Sequence, residues 1–373
     1  MARTNSVNFT GANQFPIASA GTDIFKKEDV QVATKSLDLH DHSAGLGLPI
    51  AAGAIAAGSI DGSKLTDNTV TSAKILNGTI AAVDIASAGV ANDNLGPDTA
   101  RANLLTNGGF EIWQRGNGPF TTNASYTTDR WSLWIDAGDS ITASRDTTNV
   151  DASSGFCVAL TYTKSTGATH PHFQQYLGAA DYPQLGGRVL SFSMRVRCST
   201  PNAVRLAMSV DGGSTFLYSP YHSGNGTYQT LTFISGIVTN AMYMGVNFQA
   251  SCTAYLDNAM LVVGSQPANY VPLHPADDLA RCLRYYEILG VGSDLIVSGI
   301  ATAGAQTVYQ AWPYRAVKPV NPTLTLGTWS ASNAGAVAMS ALSNSVLRLS
   351  LASSAAGAFY SQNTQAVTLE ANP

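Results

Sequence analysis

Two histidines stand one residue apart in LHDHS, at His40 and His42. In an extended chain that spacing puts both imidazoles on one face. Three such chains around an axis would supply six nitrogens, enough for an octahedral transition-metal site. A solvated turn, or histidines packed at an axis without metal, would use the same residues. A second pair, His170 and His172 in THPHFQQY, has Pro171 between its members and no acidic or cysteine neighbour in the sequence. An edge-strand or loop role is expected for it. The aromatic residues Trp113, Tyr126, Trp131 and Trp134 form the other chemical group. Their faces offer the C–H groups of a sugar an apolar platform at little entropic cost. Alternation puts Trp131 and Leu133 on one strand face and Trp134 on the other. Trp131 is therefore expected in the core, leaving Trp134, Tyr126 and Trp113 as candidate sugar contacts. These residues alone do not assign a site.

Reaction chemistry has little support. Asp136 and Asp139 are close in WIDAGDS, but the stretch reads as an exposed turn. A polysaccharide depolymerase would need two carboxylates at glycosidase separation. No GxSxG, HExxH or P-loop motif occurs, so the chain is expected not to be an enzyme. The four cysteines, Cys157, Cys198, Cys252 and Cys282, show no CxxC spacing. Buried thiols are expected, without zinc or a disulfide framework. The opening stretch MARTNSVNFTGANQF has no apolar segment of the kind a signal peptide carries.

Of the 373 residues 45% are hydrophobic and only 12% charged, with 34 glycines. The charged share is about half that of an ordinary soluble chain, and the Ser, Thr, Asn and Gly that replace it suit turn-rich β structure. A net charge of −4 argues against a nucleic-acid-binding surface. No apolar run is long enough to cross a bilayer as a helix.

The elements that would position these groups fall into four segments. Residues 1–45 are polar, with one charged cluster at Lys26, Lys27, Glu28 and Asp29. Residues 46–103 carry aliphatics at every fifth position: Ile55, Ile60, Leu65, Val70, Ile75, Ile80, Ile85, Val90 and Leu95. A step of five leaves no stripe on an α-helix and alternates faces on a strand. Two architectures satisfy it: a single-chain quadrilateral solenoid, or a shaft in which three chains share one core. The tract would give little more than two solenoid coils, without a capping segment, so the homotrimeric shaft is preferred. Residues 104–275 show the alternation of a β domain. Residues 276–373 open on a helix-like stretch, ADDLARCLRYYEIL, with Leu279, Cys282, Leu283 and Tyr286 facing the domain. Strand-like runs such as TLTLGTW and SVLRLSL follow, read as a small β-sandwich tip.

Several of these pieces resemble bacteriophage tail or virion fibre proteins. The Gly-Thr-Ile and Ala-Lys-Ile units resemble fibre-shaft repeats, and LDLHDHSAGLGLPI resembles the segment that introduces such shafts. LLTNGGFEIWQRG with TTDRWSLW, and later AYLDNAMLVVG, resemble the first and last strands of a carbohydrate-binding-module-like jelly roll. ARCLRYYEILG resembles a helix leading into a fibre head. The resemblance spans roughly residues 37–290. It implies a mainly β, elongated homotrimer, located in the virion after synthesis in the host cytoplasm. Its N-terminus would hold another virion protein and its β domains host-surface glycans, with no nucleic-acid or membrane partner. A purely structural head or collar fibre, and a virion depolymerase, are the alternatives. It further implies structural calcium at Asn107, Glu111 and Asp257, beside the transition metal at His40 and His42; neither metal is a required cofactor.

Overall fold

The computed structural model describes residues 55–85, save 58, 68, 77–78 and 81–83, and residues 102–373, save 153, 166–169 and 179–181. His40, His42, Val90 and Leu95 lie outside these. The chain divides into two compact units, Met1–Ile85 and Ala86–Pro373.

In the first unit a tight backbone turn recurs every fifth residue. The N–H groups of Ser59, Lys64, Thr69, Lys74 and Thr79 each donate to the carbonyl three residues back. Two of these turns form 3₁₀ helices, Gly62–Lys64 and Ser72–Lys74. At every second turn the Ser59, Thr69 or Thr79 hydroxyl reinforces the same carbonyl bond. The ten-residue period thus lies in side-chain chemistry superposed on a five-residue backbone period. Within this one chain Ile55, Ile60, Leu65, Val70, Ile75, Ile80 and Ile85 remain 39–57% exposed. A lone chain therefore leaves the apolar seam in water, at a cost of about 25 cal/mol per Å².

The second unit is mainly β. Its first domain is a jelly-roll-like sandwich of two five-stranded antiparallel sheets. One sheet runs β1 (Trp131–Leu133), β4 (Phe173–Leu177), β9 (Met242–Phe248), β6 (Val204–Ser209), β7 (Leu217–Tyr221). The other runs β2 (Ser140–Asp146), β3 (Cys157–Thr163), β10 (Cys252–Val263), β5 (Val189–Cys198), β8 (Tyr228–Ile237). Alternation decides the faces. In β4, Phe173, Gln175 and Leu177 point inward while Gln174 and Tyr176 point out. Trp131 stacks on Phe173 with centroids 5.2 Å apart, and Phe110 meets Trp131 edge-on at 5.0 Å. The fully buried Gln175 is satisfied by the backbone N–H and C=O of Thr106, which pins the chain entering the domain to the sheet.

The helix α1 spans only Pro275–Leu283, shorter than the stretch read as helical. Tyr286–Leu289 is instead strand β11, paired with β19 (Val367–Glu370). The β-favouring Tyr-Glu-Ile-Leu run gains a cross-strand partner there that a longer helix would forgo. Leu279, expected to pack, is 39% exposed, whereas Asp278 is buried and accepts the Asn107 N–H at 2.9 Å. Lys318, fully buried, donates to the carbonyl of Leu283 and to Glu287 Oε2, so one ammonium caps the helix end and ties it to β11.

The tip is not a two-layer sandwich but three three-stranded sheets around one core. They run β11, β19, β14 (Thr323–Thr325); β12 (Ile296–Ala301), β18 (Gly357–Asn363), β15 (Trp329–Ser332); and β13 (Thr307–Pro313), β17 (Val346–Ala352), β16 (Ala338–Ala341). Leu347, Leu349, Phe359, Val367 and Leu369 fill the centre. The last residues return to the sandwich. Arg115 bridges Asp129 and Glu370 while lying 3.7 Å over the Tyr286 ring, and Arg130 donates to Asn372.

Candidate functional site

The outward face of the β1–β4–β9–β6–β7 sheet carries a groove. Trp134, one residue past β1, donates its backbone N–H to the His172 carbonyl at 2.8 Å. That bond holds the indole over the sheet, where it stays 45% exposed. From the next strands come Gln174, Tyr176 and Tyr243, the two tyrosine rings tilted with centroids 4.9 Å apart. The turn between β6 and β7, with Gly212, Gly213 and Phe216, makes the facing wall of a lobe of about 300 Å³. Gly213 has φ +88°, a backbone conformation that favours glycine, and a Cβ there would meet the Tyr243 ring in ordinary contact at 3.4 Å. A second lobe of about 350 Å³ shares Trp134, Gln174 and Tyr243 and is closed by Tyr126, Tyr176 and Pro373.

Gln174 is only 5% exposed and sits where the lobes meet. Its carboxamide makes no hydrogen bond to any described residue. Its amide N and O are not buried; they are open to the groove and present two donors and an acceptor to whatever fills it. On the other side His170 supports Trp134, and its Nε2 lies 2.8 Å from Asp136 Oδ1.

The remaining predicted residues separate. Tyr126 lines the groove, but its hydroxyl is committed to the Pro373 carbonyl at 2.8 Å. Trp113 does not reach the groove. It is 9% exposed, stacks on Phe120 and donates its indole N–H to the Phe110 carbonyl. His170, read as a loop residue without an acidic partner, has one in Asp136 from a distant loop. Asp136 and Asp139, read as exposed, are half-buried. Asp139 accepts from the Tyr162 hydroxyl and the Ser165 N–H.

Asp136, Asp139 and His172 bring potential metal-ligand atoms within 4.8 Å of one another. The imidazole argues against metal. His172 Nδ1 accepts the Phe248 N–H at 3.0 Å, so Nε2 carries the proton in the neutral ring and offers no lone pair. Burial lowers the His172 pKa to about 4, with the neighbouring His170 adding to the effect. Among the described residues, no Asp or Glu side chain lines either groove lobe.

For calcium the expected residues fit in part. Asn107 does not fit: its Oδ1 accepts the Ile112 N–H, and its Nδ2 donates to Ile112, Thr128 and Asp129. Asp257 does. It is fully buried, its Oδ2 accepts the Asp151 N–H, and its Oδ1 has no partner. Burial pushes its pKa up to about 6. Glu111 accepts the Gly155 N–H from the same loop and lines a cavity of about 250 Å³ with Ser154 and Asn258. Hard oxygen donors of this kind suit Ca²⁺.

No family model matches the chain, and no curated protein does. Among solved structures, the CBM22-1 xylan-binding domain of Paenibacillus barcinonensis Xyn10C is 15% identical. The match covers 45% of this chain and 99% of that one, with a TM-score of 0.30. A putative sugar binding protein from Bacteroides thetaiotaomicron is 10% identical over 44% of this chain and 100% of its own, at 0.31. The enzymatically active domain of bacteriophage CBA120 tailspike protein 4 is 11% identical over 43% of this chain and 21% of its own, at 0.29. Identities and TM-scores this low leave function to be read from the groove itself.

Proposed function

We propose that the chain is a structural and adhesive phage virion fibre whose sandwich domain binds a host-surface glycan across the β1–β4–β9 face. The observation that carries this reading is the Gln174 carboxamide, open to the groove and without a protein partner, lining it together with the rings of Trp134 and Tyr243. A pyranose offers what such a place lacks: C–H faces for the rings and hydroxyls for the amide. The open groove suits a weak single contact, strengthened by several copies acting together. Three chains, joined through the five-residue repeat, are proposed to supply those copies. The exposed aliphatics of the lone chain support this, and residues 1–45 would attach the fibre to another virion protein. Asp257 and Glu111 are proposed to hold a structural Ca²⁺, which would supply positive charge to the buried carboxylate. The transition-metal site at His40 and His42 remains a proposal from their spacing.

A glycan array probed with the full chain and with Trp134→Ala tests the reading. Binding to one glycan class that the substitution abolishes is expected. No binding to any glycan by the intact chain would favour a purely structural fibre.

A further inference from the structure

Strands β5 and β10 are neighbours in the second sheet, with Cys198 opposite Ala254. Cys252 lies two residues from Ala254 on the same inward face of β10, which makes it the diagonal neighbour of Cys198. Both side chains belong to the same core, Cys198 inside it and Cys252 packed against it. Cys198 is 1% exposed, whereas Cys252 is the one partly exposed thiol of the four. Cys157 and Cys282 are fully buried. We propose that Cys198 and Cys252 form a reversible disulfide when the folded protein meets a low-molecular-weight disulfide such as oxidised glutathione.

The chemistry follows from the local bonds. The Thr200 N–H points at Cys198 Sγ from 3.4 Å, a contact that favours a thiolate, while the protonated thiol donates to the Thr200 carbonyl at 3.6 Å. Interaction with the Cys252 thiol and these backbone N–H groups lowers the Cys198 pKa to about 6, while the same interaction raises that of Cys252. The pair therefore shares one proton. Cys252 passes its proton to Cys198 and attacks a sulfur of the oxidant. A mixed disulfide forms and one glutathione leaves as thiolate, taking up the Cys198 proton. The Cys198 thiolate then attacks the Cys252 sulfur, and the second glutathione leaves. The two protein sulfurs are oxidised and one glutathione disulfide is reduced to one thiol and one thiolate, the latter taking its proton from water. The product would staple the ends of β5 and β10.

The full chain is incubated folded with oxidised glutathione, then denatured, alkylated and mapped by peptide mass. A single cross-linked pair containing Cys198 and Cys252 is expected, two hydrogens lighter and reversed by dithiothreitol. Cys157 and Cys282 should appear alkylated. Cys252→Ser should give no cross-link while retaining the unfolding temperature of the parent. Four alkylated cysteines, a stable glutathione adduct on Cys252, or a cross-link between other cysteines would each overturn the proposal.

Discussion

The imidazole of His170 meets the indole of Trp134 edge-on, with centroids 5.5 Å apart and planes at 64°. Because His170 is itself fixed by Asp136, an exposed tryptophan is held in one orientation by a chain of two contacts. A pre-positioned ring loses less freedom when a ligand stacks on it. On the proposed reading Trp134 is the aromatic anchor of the groove and His170 its support.

Replacing Trp134 by alanine should weaken glycan binding by about 2 kcal/mol, roughly 30-fold in Kd, with little change in Tm. Trp113→Ala should do the reverse. It empties a core position at a cost of about 3–5 kcal/mol and touches no ligand. Titration calorimetry and thermal unfolding on both variants separate the roles. Equal effects on binding and stability for the two would sink the assignment.

Gln174→Ala should remove the polar reader at the groove floor and cost binding about tenfold while sparing the fold, since the carboxamide holds nothing else in place. Unchanged affinity on the same array would show that the amide does not contact the sugar.

Stability should carry a signature of His172. Its folded pKa of about 4 lies below the ordinary histidine value, so the unfolded chain binds the proton more readily. The stability this group contributes is complete above about pH 6.5 and is lost as pH falls towards 4, worth about 3 kcal/mol in full. Asp129 and Asp257, both pushed up to about 6 by burial, oppose it: their folded forms hold protons better, which favours the fold as pH falls from 6 to 4. The comparison therefore uses His172→Gln, whose amide oxygen can still accept the Phe248 N–H. Denaturant titrations should show the parent losing more stability than the variant between pH 6.5 and 4.

Calcium should raise the Tm of the intact chain, more at pH 7 than at pH 5, because Asp257 must give up its proton to bind the ion. Asp257→Asn should abolish the shift. A chelator that leaves the Tm of extensively metal-loaded protein unchanged would count against a structural ion.

Light scattering on the full chain should give three times the chain mass, and deletion of residues 46–100 should reduce the assembly to single chains. A monomeric full chain would favour a solenoid closed by one chain and remove the shared-core shaft.

The sequence by itself determined the β class, the five-residue period and the sidedness of Trp131 and Trp134, because each rests on local spacing along one element. The helix was legible at its start, where Pro275 and two acidic residues open it, but not at its end, where pairing with β19 outcompeted another turn. Only the tertiary structure decided the groove. Gln174, Tyr243 and Phe216 come together through the strand order β1–β4–β9–β6, which is set by non-local hydrogen bonding and leaves no fixed interval in sequence. Packing also withdrew Trp113 into the core and turned the oxygen of Asn107 to a backbone N–H, while joining His170 to Asp136. Residue type tells what a side chain is able to bind; burial and the partners already present determine what it has left to offer.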